Sequence, residues 1–107
     1  MYKLVTLVVL ITVSQTYGES GLCSWYDTHP GDVIENGEVF SQNTFTAGHK
    51  SLRIGSIVRV MCNGKIDMVI INRRLVIGGS ILTMDRAAAE FFGIIDSKLC
   101  QCTVTSV

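Results

Sequence analysis

Two cysteines set two residues apart, Cys100 and Cys102, limit what the rest of this chain can fold into. They lie in Leu99–Ser106, where Cys100, Cys102 and Val104 alternate with Gln101, Thr103 and Thr105, the period of a strand with one face turned inward. Side chains two apart on a strand point the same way roughly 6.6 Å apart. That is a poor geometry for a mutual disulfide. The other two cysteines are Cys23 and Cys62. Of the three possible pairings, the one joining Cys100 to Cys102 is disfavoured. Each should therefore bond Cys23 or Cys62, tying the last strand to two earlier ones. Zinc is the competing use, but a C-x-C spacing with no C-x-x-C elsewhere argues against it, and no metal or other cofactor is expected.

Disulfides imply an oxidising destination, and the start of the chain supplies an address. Met1-Tyr2-Lys3 is a short basic beginning, Leu4–Val13 is apolar, and Thr16-Tyr17-Gly18 offers small residues for cleavage. Residues 1–18 read as a secretory signal peptide, too short in its apolar run to span a bilayer. Removing 18 of the 107 residues leaves 89, a single domain at 19–107 and small enough to gain from covalent support. The full chain carries nine basic and nine acidic residues; loss of Lys3 leaves eight against nine. That balance speaks against nucleic acid and against an anionic membrane surface as partners, since both usually select a basic patch. A secreted, extracellular monomer is the expectation.

Strand signals recur along the mature part. Ile57–Cys62 alternates most clearly, with Val58, Val60 and Cys62 on one face and Ile57, Arg59 and Met61 on the other. Leu22–Tyr26 places Cys23 and Trp25 together, and Lys65–Ile71 is an apolar strand reached through the tight turn Asn63-Gly64. Asn36-Gly37 is another turn, followed by extended Glu38-Val39-Phe40; residues 27–36 and 72–80 read as loops. His49, one of two histidines, sits in a small-residue turn just ahead of Ile57–Cys62. Asp85 is placed to cap a helix through its side chain, Ala87-Ala88-Ala89 to propagate it and Gly93 to stop it. Met84, Ala88, Phe91 and Ile95 should face the core. Short strands with one interrupting helix suit a mainly β, six-stranded closed barrel.

The order of motifs resembles that of the RlpA-like double-psi β-barrel family, in the barwin/expansin-like superfamily. Asn43-Thr44-Phe45-Thr46-Ala47-Gly48-His49-Lys50-Ser51-Leu52, Gly55 and Val58-Arg59-Val60 match its central motif. Ser24-Trp25-Tyr26, Asn36-Gly37-Glu38, Asn72, Arg74, Gly78-Gly79 and Arg86-Ala87-Ala88-Ala89 follow in the right order. The resemblance implies a six-stranded double-psi barrel. It also implies a binding groove built from Trp25, Tyr26, Glu38, His49, Asn72, Arg73 and Arg74, in which Glu38 and His49 are the candidate catalytic residues.

The chain departs from the family pattern where chemistry needs it most. The family's Asp after Asn72 is Arg73 here, the acid of its D-L-S motif is Thr83, and Asp85 falls where that motif has its Ser. Glycan cleavage needs a group that moves a proton at the scissile oxygen, and arginine stays protonated. The expectation is a non-catalytic module binding a polysaccharide or an extracellular protein. The alternative is weak glycan cleavage by Glu38 with His49. Trp25 and Tyr26 either stack on a ligand or fill the core, as strand aromatics usually do.

Overall fold

A computed structural model describes residues 18–27, 45–74 and 76–107. Six strands and one helix run in chain order as β1 (Gly18–Trp25), β2 (Thr46–Gly48), β3 (Ile57–Cys62), β4 (Lys65–Arg73), β5 (Leu82–Met84), α1 (Arg86–Phe92) and β6 (Leu99–Ser106). The strands close into a barrel in the order β1-β5-β2-β4-β3-β6. Two pairings are parallel, β1 with β5 and β2 with β4, and the others are antiparallel. Residues 1–17 hold most of the expected signal peptide and residues 28–44 hold His29, the Asn36-Gly37 turn and Glu38; both lie outside the described residues.

Alternation drives the wall. In β3, Val58, Val60 and Cys62 are buried and the residues that alternate with them, Ile57, Arg59 and Met61, are exposed. The hairpin to β4 is tight because Asn63 and Gly64 both adopt positive φ, 54° and 76°, the conformation a two-residue turn between twisted strands requires. Asn63 Nδ2 also donates to Phe92 O at 2.8 Å, pinning the turn to the end of the helix. Ile71, Leu82, Met84, Phe92, Val69 and Val104 are fully buried alongside the β3 residues and form the interior.

Both disulfides reach the last strand, Cys23–Cys102 and Cys62–Cys100, with Cα separations of 5.8 and 6.2 Å. Their pattern is diagonal. The ladder sets Cys23 opposite Cys100 and Cys62 opposite Cys102, yet each bond skips to the neighbour two residues along. Right-handed twist between adjacent strands draws one diagonal of inward side chains together.

Several local expectations are corrected. β1 begins at Gly18 rather than Leu22, because it pairs with β6 from Gly18↔Thr105 to Ser24↔Leu99. Thr46–Gly48 is a strand, not a turn, and β4 continues through Asn72 and Arg73, because those two segments pair in parallel. Met84, Ala88 and Phe92 are fully buried in the core, while Phe91 and Ile95 pack against it half-buried, the Phe91 ring 5.3 Å from that of Phe45 and 5.0 Å from that of Phe92. Asp85 occupies the N-cap position without a side-chain cap bond, whereas Gly93 ends the helix as expected, left-handed at φ 75°. Among the described residues no helix is long and apolar enough to cross a membrane.

Candidate functional site

The site is assembled where β2 ends beside the end of β4. A register shift between Ala47 and Gly48 brings Gly48 opposite Arg73, and His49 N donates to Arg73 O at 3.0 Å. Arg74 returns the contact, its Nη1 donating to His49 O at 3.1 Å and to Leu52 O. His49 and Asn72–Arg74, distant in sequence, are thus neighbours.

His49 is 3% exposed. Its Nδ1 accepts from the backbone N–H groups of Ser51 and Leu52, each at 3.1 Å. An imidazole nitrogen that accepts two hydrogen bonds carries no proton, so the ring proton resides on Nε2. Nε2 points at Glu19 Oε1, 3.2 Å away, and the Glu19 side chain is 35% exposed.

Arg73 is buried, not presented to a groove: it is 5% exposed, and Asp85 is fully buried. Its Nη2 donates to Asp85 Oδ1 at 2.6 Å, and its Nη1 to Asp85 Oδ2 at 3.1 Å and Asn72 Oδ1 at 2.8 Å. Thr46 Oγ1 donates to Asp85 Oδ2 as well. The guanidinium carbon stands 4.5 Å from the centre of the Tyr26 ring, within cation–π range. Two buried donors of this group, Arg73 Nε and Asn72 Nδ2, have no partner among the described residues. Thr83, at the position of the family's second acid, belongs to a hydroxyl chain. Its Oγ1 lies 3.0 Å from Ser24 Oγ and accepts from Ile77 N at 2.8 Å, while Ser80 Oγ donates to Ser24 Oγ at 2.8 Å.

Two clefts among the described residues share no lining residue. One, of about 600 Å³, is lined by Trp25 and Tyr26 with Asp27, Arg86, Asp96 and Lys98. Trp25 is a wall more than a platform: it is 7% exposed, its Nε1 donates to Ile95 O at 3.2 Å, and Arg86 and Lys98 stand 5.2 and 5.5 Å from its ring. Arg86 is paired with Asp27 at 3.1 Å. Asp27 raises its pKa above the ordinary arginine value, first through that hydrogen bond and then through its charge. The other cleft, of about 560 Å³, runs from Lys50 and Arg74 to Gly78, Gly79 and Ile81. Of the groove residues expected from sequence, Trp25 and Tyr26 therefore line one cleft and Arg74 the other. Asn72 and Arg73 are buried, and Glu38 lies outside the described residues.

Sequence reasoning missed Glu19, which sits beside the expected cleavage point with no motif around it, and it read Asp85 only as a cap. A signal for Asp85 was present: an acid is lost at position 73 and gained at position 85, as a charge exchanged between two touching positions would be.

A closed six-stranded double-psi barrel with one short helix, two disulfides and a histidine beside the end of β4 defines the class. No family model matches the chain. It is 36% identical over 85 residues to the endolytic peptidoglycan transglycosylase RlpA of Vibrio cholerae, covering 76% of this chain and 32% of that protein. To the RlpA of Salmonella typhi it is 35% identical over 78 residues, 69% of this chain and 21% of that one. The probable RlpA of Synechocystis is 38% identical over 80 residues, 71% of this chain and 25% of that one. The chain thus spans about a third or less of the length of these curated relatives. Among solved structures, the Streptomyces papain inhibitor superposes with a TM-score of 0.66 at 13% identity, covering 85% of this chain and 96% of that one, a likeness of fold. The chain belongs to the RlpA-like double-psi β-barrel family.

Proposed function

We propose that this domain is an exported, non-catalytic module that binds a polysaccharide. The observation that carries the reading is the Arg73–Asp85 pair. Where the family pattern places an acid, this chain places a guanidinium, and the nearby carboxylate is fully buried with both oxygens engaged. A carboxylate so held is unsuited to proton transfer at a glycosidic oxygen, an effect worth on the order of 10²–10⁴ in rate. The curated relatives named as peptidoglycan transglycosylases support a glycan as ligand. The half-buried Tyr26 ring, backed by Arg73 and bordering a cleft of about 600 Å³, supplies an aromatic surface for a sugar. Two disulfides among four cysteines fit an oxidising destination.

The test is titration calorimetry with soluble peptidoglycan, chitin and cellulose fragments, run beside product analysis of the same mixtures. Binding without new reducing ends or anhydro sugars, weakened at least tenfold by Tyr26→Ala, is expected. Product release by the wild-type protein would overturn the reading.

A second reading, glycan cleavage by Glu38 with His49, draws support from the orientation of His49 between two backbone amides and a carboxylate. Its signature is turnover abolished by Glu38→Gln.

A further inference from the structure

The outer wall of a solvated barrel should be polar wherever the alternating side chains point away from the core. β6 follows that rule along most of its length, its outward residues being Gln101, Thr103 and Thr105 after an exposed Leu99 at its start. The neighbouring hairpin does not. The outward positions of β3 and β4 face one another in three cross-strand pairs, Ile57↔Ile70, Arg59↔Met68 and Met61↔Ile66. Five of those six side chains are large and apolar. Ile57, Met61, Ile66 and Met68 are 50%, 47%, 53% and 39% exposed, and Ile70 is half-buried. A single exposed isoleucine is ordinary, but a contiguous apolar face marks an interaction site. The same strands already fill the core with Val58, Val60, Val69 and Ile71, so the outward set has no task inside the fold.

Charge narrows the partner. Arg59 stands in the middle pair, exposed, and takes part in no ion pair among the described residues. Covering the patch would strip water from that guanidinium, which is tolerable only if a carboxylate meets it. A second copy of this chain fits poorly. A two-fold axis through the patch would set two Arg59 side chains together with no acid in either surface. Shape narrows it further. The patch is two strands wide and five residues long, about 13 Å at ~3.3 Å per residue. A helix covers that span in about nine residues at ~1.5 Å each.

We propose that this face docks an amphipathic helix of another protein, whose apolar stripe carries a carboxylate opposite Arg59. This surface is separate from both clefts, so it is independent of the glycan reading.

The experiment uses the isotopically labelled full chain and three synthetic 15-residue helical peptides, identical except for Glu, Gln or Lys at the centre of a leucine stripe. Amide shifts confined to Ile57–Met61 and Ile66–Ile70 are expected, with the Glu peptide binding at least tenfold tighter than the Lys peptide. Arg59→Glu, a surface change that leaves the core untouched, should invert that order. The double variant Ile57→Ser with Met61→Ser should lose all three peptides. Absence of binding, shifts elsewhere, or indifference to the central charge would each overturn the proposal. So would concentration-dependent shifts of the same amides without peptide, which report a second copy. Engagement of those amides by phosphatidylserine vesicles in preference to the Glu peptide would overturn it equally.

Discussion

The Arg73 guanidinium holds the Asp85 carboxylate by two hydrogen bonds inside the barrel, Nη2 to Oδ1 at 2.6 Å and Nη1 to Oδ2 at 3.1 Å. The geometry is bidentate, the form in which arginine binds a carboxylate best. It joins the end of β4 to the residue that opens α1, and it rests on Tyr26. Removing one member leaves the other buried and unpaired. Arg73→Met or Asp85→Ala should therefore each cost about 3–5 kcal/mol, while the pair of changes together costs far less than their sum. A double-mutant cycle by urea denaturation measures this coupling. Strict additivity would show that the pair is not a unit.

The same pair dictates how an acid must be restored if cleavage is to be recovered. Arg73→Asp alone would set two carboxylates side by side in a dry site, which should destabilise the fold. Arg73→Asp combined with Asp85→Ser removes that conflict and reinstates the family pattern at both positions. The double variant should fold better than the single one. If the acid at position 73 is what this chain lacks, only the double variant should release products from peptidoglycan, as read by chromatography of the digest.

His49 should be found as the Nε2-protonated tautomer, because Nδ1 is occupied by the amides of Ser51 and Leu52. Long-range proton–nitrogen correlation spectra distinguish the two tautomers directly. His49→Ala, which leaves those amides without their acceptor, should cost about 1–3 kcal/mol. Glu19→Ala should cost less, since that side chain is 35% exposed.

Peptide mapping of the oxidised protein should return Cys23–Cys102 and Cys62–Cys100 and not the pairs that face each other on the ladder. The first bond closes the longer separation, 79 residues against 38. On chain-entropy grounds the two bonds, each taken as the sole cross-link, are worth about 4.5 kcal/mol and about 3.9 kcal/mol respectively, so removal of the first by paired alanine substitution should cost the more. Thermal denaturation of the two variants tests that order.

Gly93→Ala should cost about 1 kcal/mol. Gly93 is left-handed at φ 75°, while an added Cβ would find its nearest neighbour, Asn63 Nδ2, at 3.9 Å. The penalty is thus one of backbone conformation alone, and a loss well above that, by urea denaturation, would point to a steric cause instead.

Local pattern was enough for much of this molecule. The alternation of Ile57–Cys62 and Leu99–Ser106, the Asn63-Gly64 turn and the Gly93 stop are all properties of short windows. Their physics (side-chain period, positive φ, a lost Cβ) acts within a few residues, and the structure places each where it was expected. The involvement of both late cysteines with Cys23 and Cys62 was legible for the same reason: two residues on one face of a strand are poorly placed to bond each other. The choice between the two remaining pairings was not. It depends on the twist between β1, β6 and β3, which no one of those strands contains.

The strands β2 and β5, three residues each, were invisible because so short a segment is extended only where partners hold it, here β4 and β5 for one, β1 and β2 for the other. Sequence alone determined that a basic residue stands where the family keeps an acid. Only the tertiary structure decided that Arg73 turns inward to Asp85. A charge buried at one point of a chain must be neutralised by whatever the fold brings beside it, and that neighbour lies twelve residues away, just beyond β5.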